Sequence, residues 1–230
     1  MTDKGKIAAI YGAVAVICAG IIAMVVFTQG ANKRNREFAQ NVGKALEDPV
    51  LTELTEPLQV TDQTGRTFDI RELEGKVWIF CQFYASCPEC AKRNLKDLQG
   101  IYEKYRSNPD FRLVCMSVAP EKDGPEDLKS YAEGLGADSG TWLFLTGDPE
   151  ELREYSLKQL KYPTAKKRTD PDEIALKGEY AHDLALSVFD RELQMRGKVD
   201  LFQIGDKESE AYQAARAAID SRVERYLRAE

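Results

Sequence analysis

An unbroken apolar run that ends on a pair of cysteines constrains this chain more than anything else in it. Residues 77–84 read VWIFCQFY, and Cys87-Pro88-Glu89-Cys90 follows after two more residues. A β-rich run without polar alternation predicts a central strand covered on both faces. Beyond the pair, Ala91, Leu95, Leu98, Ile101, Tyr102 and Tyr105 recur at helical spacing, which predicts a helix over 88–106. C-x-x-C at a helix start has a physical logic. The first thiol meets unpaired backbone N–H groups and the positive end of the helix dipole. The thiolate forms more easily there, and it is both the nucleophile and the metal ligand. The second thiol lies one turn on, close enough to close a disulfide or share a metal. Pro88 suits the first helical position because no donor is needed there. A redox or metal role is favoured over two structural thiols.

The rest of the chain alternates strands and helices. Residues 58–61 and 66–70 predict a hairpin around the turn Asp62-Gln63-Thr64-Gly65. Residues 111–118 and 142–145 predict strands, and Pro125 and Asp148-Pro149 open helices to about 135 and 160. Residues 161–180 mix both charges with two prolines and read as a long loop. Strands follow at 184–189 and 199–204, joined through Asp190 and Gly197, and an amphipathic helix at 208–227 ends the chain. This order predicts an α/β fold, a thioredoxin-like mixed sheet flanked by helices.

Residues 7–27 carry no charge across 21 residues. As a helix they would reach about 32 Å, close to the hydrocarbon thickness of a bilayer. The alternative is a cleaved signal peptide, whose apolar core is usually shorter and followed by a better cleavage site; an N-terminal transmembrane helix is the expectation adopted. The expected organisation is a tail over 1–6, an anchor over 7–27, a linker over 28–56 and the thioredoxin-like domain over 57–230. Cys18 lies within the apolar run as a small apolar residue. Flanking lysines and arginines slightly favour a cytoplasmic C-terminal domain. The cysteine chemistry favours the periplasmic side of an inner membrane, and that placement is adopted. A net charge of −6 without a basic face argues against a nucleic-acid footprint.

Cys81 and Cys115 sit among apolar neighbours and read as inert core thiols. A structural zinc site would need four ligands. The chain has one histidine, His182, placed just before the 184–189 strand. A lone histidine is more often structural. Here the strand is expected beside the cysteine-bearing one, which brings its leading loop toward the pair. Two thiolates and one imidazole make a soft, low-coordinate set suited to Cu(I).

At this point the sequence resembles the Sco/SenC family, membrane-tethered copper proteins of cytochrome c oxidase assembly. The resemblance rests on the order of several segments over about 55–229. They are Gly75-Lys76-Val77-Trp78, Phe83-Tyr84-Ala85-Ser86-Cys87-Pro88, Ser117-Val118-Ala119-Pro120-Glu121-Lys122-Asp123, Leu128-Lys129-Ser130-Tyr131-Ala132, Trp142-Leu143-Phe144-Leu145-Thr146-Gly147 and the late His182. It implies a thioredoxin fold with copper held by Cys87, Cys90 and His182. It further implies a partner in the copper-site subunit of a respiratory oxidase, or another cysteine-containing protein. Two positions depart from the family pattern. Two residues, not three, separate the cysteines, and Asp183 follows the histidine where a small hydroxyl residue is usual.

The competing reading is a thiol-disulfide oxidoreductase, with Cys87 as the catalytic attacking thiol and Cys90 resolving the mixed disulfide. The C-x-x-C spacing favours it. The lack of a proline before the 184–189 strand, where such reductases place a cis-proline, counts against it. A membrane-linked redox sensor has no sequence feature of its own. No threonine precedes the pair as in a peroxidatic loop, and no glycine cluster forms a phosphate cradle.

Overall fold

The computed structural model describes residues 49–88, 94–204 and 207–229. The expected anchor over 7–27 and Cys90 both lie outside the described residues. Among the described residues no helix is long and apolar enough to cross a membrane.

The central strand β4 is Val77–Phe83, and all seven of its residues are buried. Alternation sends Val77, Ile79, Cys81 and Phe83 to one face of the sheet and Trp78 and Phe80 to the other. Each face carries its own apolar core, which is why the run shows no polar alternation. Side chains of this size contribute roughly 1.5–3 kcal/mol each on burial.

β4 pairs in parallel with β5, Phe111–Ser117, and β5 pairs in parallel with β6, Trp142–Thr146. Parallel neighbours need crossover helices, and the chain supplies them. The described part of the first is α1, Leu95–Tyr105, and the second is α2, Pro125–Leu135. Gly136 takes a left-handed φ of 65° at the end of α2, where a glycine costs least. After β6, Asp148 caps α3, Pro149–Lys158, by accepting from the Glu150 and Glu151 amides.

The remaining strands are antiparallel. β2, Gln59–Asp62, and β3, Thr67–Asp69, form the expected hairpin and dock on β6. β9, Leu186–Phe189, lies on the other side of β4, followed by β10, Gln194–Val199. The outermost strand is β1, Thr52–Glu53. The full order is β1-β10-β9-β4-β5-β6-β2-β3. The C-terminal helix α6, Glu210–Arg228, lays Tyr212, Ile219 and Val223 into the core shared with Ile79 and Cys81.

Four expectations change. β1 falls inside the stretch read as linker, and Leu54 beside it is buried, so folded structure begins before residue 57. The stretch 161–180 is not patternless. It holds β7, Lys166–Lys167, then α4, Pro171–Lys177, then β8, Tyr180–Ala181, with β7 and β8 paired. The segment 199–204 is not a strand, because Asp200 accepts from the Gln203 amide and opens the short helix α5, Leu201–Ile204. The β9–β10 turn spans Asp190 to Leu193, whose φ is 60°, and Gly197 lies inside β10.

Candidate metal centre

The chain leaves β4 at Phe83 and turns at once. Cys87 N–H donates to the Tyr84 carbonyl at 3.0 Å, closing a tight turn. The Ala85 amide donates to the Asp123 carboxylate at 3.2–3.3 Å. Ser117, the last residue of β5, donates its hydroxyl to the same carboxylate and accepts from the Ala119 amide. Asp123 therefore ties the cysteine turn to the end of the neighbouring parallel strand. Burial pushes its carboxyl above the usual aspartate range, while the Ser117 and Ala85 hydrogen bonds pull the other way.

His182 comes from the opposite side, directly after β8. Its Nε2 stands 3.7 Å from Cys87 Sγ. Its Nδ1 is 3.0 Å from the carbonyl oxygen of Asp183. A carbonyl only accepts, so Nδ1 is the donor in that contact, and Nε2 is the ring nitrogen that faces the sulfur. The Tyr84 ring meets the His182 ring edge-on at 5.7 Å and Tyr180 at 5.5 Å, forming an aromatic wall. Cys87 is 4% exposed, and His182 is half-buried.

The loop after His182 is held from below. Asn94 donates to the Leu184 carbonyl at 2.9 Å, linking the start of α1 to this loop. Tyr162 donates within a buried pair with the Ala185 carbonyl and Ser187 hydroxyl, and burial pushes its own hydroxyl well above the usual tyrosine value. The Asp183 carboxylate accepts from the Ala185 amide and pairs with Lys198 at 2.8 Å. Asp183 thus orients the imidazole through its backbone carbonyl, not its side chain.

The structure brings two of the three expected ligands, Cys87 and His182, together. Cys90 is outside the described residues, and among the described residues no group of three or more His, Cys, Asp or Glu gathers as a metal cluster. With metal–sulfur near 2.3 Å and metal–nitrogen near 2.0–2.1 Å, as for zinc, two ligands 3.7 Å apart can share one ion. The donor set is soft enough for Cu(I). Asp123 and Ser117 were given no role from the sequence. Their only signal was their place in the segment 117–123, directly after the strand beside the cysteine-bearing one.

A thioredoxin-like sheet with a thiol and an imidazole facing each other at the carboxyl end of its central strand defines a class of thiol-based redox or metal-handling domains. The SCO1/SenC family model matches residues 48–219, and the chain belongs to that family. The SCO1 protein homolog of Bacillus subtilis is 30% identical over 121 residues. That alignment covers 52% of this chain and 62% of the relative, less than two thirds of its length. Among solved structures, BsSco, a cytochrome c oxidase assembly protein with an identified disulfide switch, superposes with a TM-score of 0.58 at 23% identity. The superposition covers 80% of this chain and 98% of BsSco. Bradyrhizobium japonicum ScoI with copper bound gives a TM-score of 0.54 at 23% identity, over 75% and 99% of the two chains. At these identities the structural likeness supports the thioredoxin-like fold.

Proposed function

We propose that this chain is a membrane-anchored copper carrier that binds one Cu(I) through Cys87, Cys90 and His182 and delivers it to the copper-site subunit of a respiratory oxidase. The observation that carries the reading is the 3.7 Å approach of His182 Nε2 to Cys87 Sγ, with the ring's other nitrogen already committed to a carbonyl. A histidine kept for packing does not need a ring nitrogen aimed at a sulfur. Membership of the SCO1/SenC family, the copper bound by a fold neighbour and the assembly role of another all support it. In this reading copper is cargo. Cys87 and His182 hold it from two sides, and the half-buried imidazole is the ligand a partner meets first. The charge-free segment 7–27 would anchor the domain, with the fold on the extracytoplasmic side.

The test is a Cu(I) titration of the reduced chain in detergent against a competing chelator. His182→Ala is expected to weaken binding at least tenfold while leaving the unfolding midpoint within error, because the ring is half-buried. Equal affinities for the two proteins would remove His182 from the site and end the copper reading.

The oxidoreductase alternative keeps one argument, the C-x-x-C spacing. Against it, Cys87 is 4% exposed, so a partner disulfide could reach it only after the site opened. The described residues contain no cis peptide bond, and no proline stands between β8 and β9. An insulin reduction assay run beside the titration separates the two readings, and negligible turnover is expected.

A further inference from the structure

Cys81 and Cys115, which the sequence reads as separate inert thiols, stand together. They are direct partners in the parallel pairing of β4 with β5, and their Sγ atoms are 3.3 Å apart. Both are 1% exposed, on the sheet face that also carries Phe83 and Cys87. Neighbouring strands run about 4.7–4.9 Å apart, inside the roughly 4.4–6.8 Å of Cα separation that a disulfide spans. Closing the gap from 3.3 Å to an S–S bond of about 2.05 Å needs an approach of roughly 1.3 Å, within reach of small side-chain rotations.

Two further features bear on reactivity. Trp142 Nε1–H donates to Cys115 Sγ at 3.2 Å and fixes that sulfur beside Cys81. Beside the pair lies a cavity of about 10 Å³, bounded by Leu98, Tyr131 and Phe144, which is about one water-sized space. Full burial excludes protein thiols and disulfides, so only a small neutral reagent can reach the pair.

We propose that Cys81 and Cys115 form a second, buried dithiol that closes to an intrachain disulfide under oxidants of the hydroperoxide class. The Cys115 sulfur attacks the O–O bond of the peroxide, giving a sulfenic acid, and the thiol proton leaves with the released hydroxide as water. The Cys81 thiol then attacks that sulfur, the S–S bond forms, and water leaves. Two thiols lose two electrons and two protons, and one hydrogen peroxide becomes two waters. The cross-link would join the strand that ends at the Cys87 turn to the strand that ends at Ser117, below both.

The test uses the full chain in detergent with Cys18, Cys87 and Cys90 replaced by serine, treated with hydrogen peroxide and quenched in acid. The expected product is lighter by two hydrogens, and a non-reducing peptide map shows Cys81 joined to Cys115. Fluorescence of Trp142 is expected to fall on oxidation and return with a reductant, with no such change after Cys115→Ser. Two thiols that still alkylate after denaturation, or a product that gains oxygen without a link, overturn the proposal. If the triple variant does not unfold cooperatively, the map of the oxidised wild-type chain decides. A Cys81–Cys115 link there upholds the pair, and links confined to the other cysteines overturn it.

Discussion

The two groups that meet at the metal centre reach it by different means. Cys87 stands just beyond β4, whose every residue is buried, and Asp123 pins its turn from the adjoining strand. His182 stands at the end of an insert whose helix α4 has no buried residue and whose strands β7 and β8 are two residues each. The sulfur is positioned by the core. The imidazole is held after it by the buried Leu184-Ala185 loop and before it by a few contacts that an exposed segment makes with the site itself. Of these, Gly178 is the tightest. Its φ is 84°, and a Cβ there would overlap the Tyr84 hydroxyl and crowd Pro88 Cδ at 2.7 Å. The insert therefore lies backbone-first against the cysteine turn. Arg168 braces it from within, donating to the Lys177, Gly178 and Tyr180 carbonyls at 2.8–3.3 Å. The lesson is that one ligand inherits the rigidity of the sheet, and the other is tied to the sheet on one side only and depends on the other side on how closely a surface segment seats.

The contrast can be broken most sharply at Gly178. Gly178→Ala adds left-handed strain and overpacking, each worth about 1–3 kcal/mol. It is expected to weaken Cu(I) binding by more than tenfold, because it lifts the histidine arm off the cysteine turn. Tyr84→Phe in the same chain should restore part of the loss by removing the overlapped hydroxyl. Equal binding by Gly178→Ala and wild type would show that the arm does not depend on this seat.

On the cysteine side, Asp123→Ala leaves the Ala85 amide and the Ser117 hydroxyl without their buried acceptor, at a cost of about 1–3 kcal/mol in denaturant unfolding. Asp123→Asn keeps an acceptor and a donor in place and should lose less. It should also alter the pH dependence. The folded-state pKa of Asp123 is raised, so the folded chain holds that proton more tightly than the unfolded chain does. Its contribution is complete below the ordinary aspartate range and is lost as pH rises through the raised value. Wild-type stability minus Asp123→Asn stability, measured by denaturant midpoints across that range, should therefore fall with rising pH. A flat difference would show that the carboxyl titrates as in the unfolded chain.

The smallest effect is expected at the rim of the insert. Glu179 pairs with Lys122 and with Lys167, and these cations hold its carboxyl below the usual glutamate range. Exposed pairs contribute little and are screened by salt. Glu179→Gln should shift the unfolding midpoint less than either change above, and not at all in high salt. Its contribution is present near neutral pH and is lost as pH falls through the lowered value.

What the sequence discloses follows the same division. β4, β5, β6 and α2 are read nearly to the residue because burial on one or both faces writes a pattern into them. The insert is missed because its residues face solvent and leave no periodicity to find. One signal was present. Asp170-Pro171 repeats the Asp-Pro start that marks α3, and Asp170 caps α4 by accepting from the Asp172 and Glu173 amides. His182 is legible because it is the chain's sole imidazole and precedes a strand that must lie near β4. Asp123 is not, since an aspartate in a polar turn looks solvated until the Ala85 amide is seen above it. The Cys81–Cys115 contact depends on the register between two strands separated by a helix, which no local pattern encodes.

The contact between His182 Nδ1 and the Asp183 carbonyl makes the two ring nitrogens unequal. Only Nε2 is placed to touch an ion shared with Cys87 Sγ, so loading should register at one end of the ring. Nitrogen NMR of histidine-labelled chain, before and after loading, should move the Nε2 resonance more than the Nδ1 resonance.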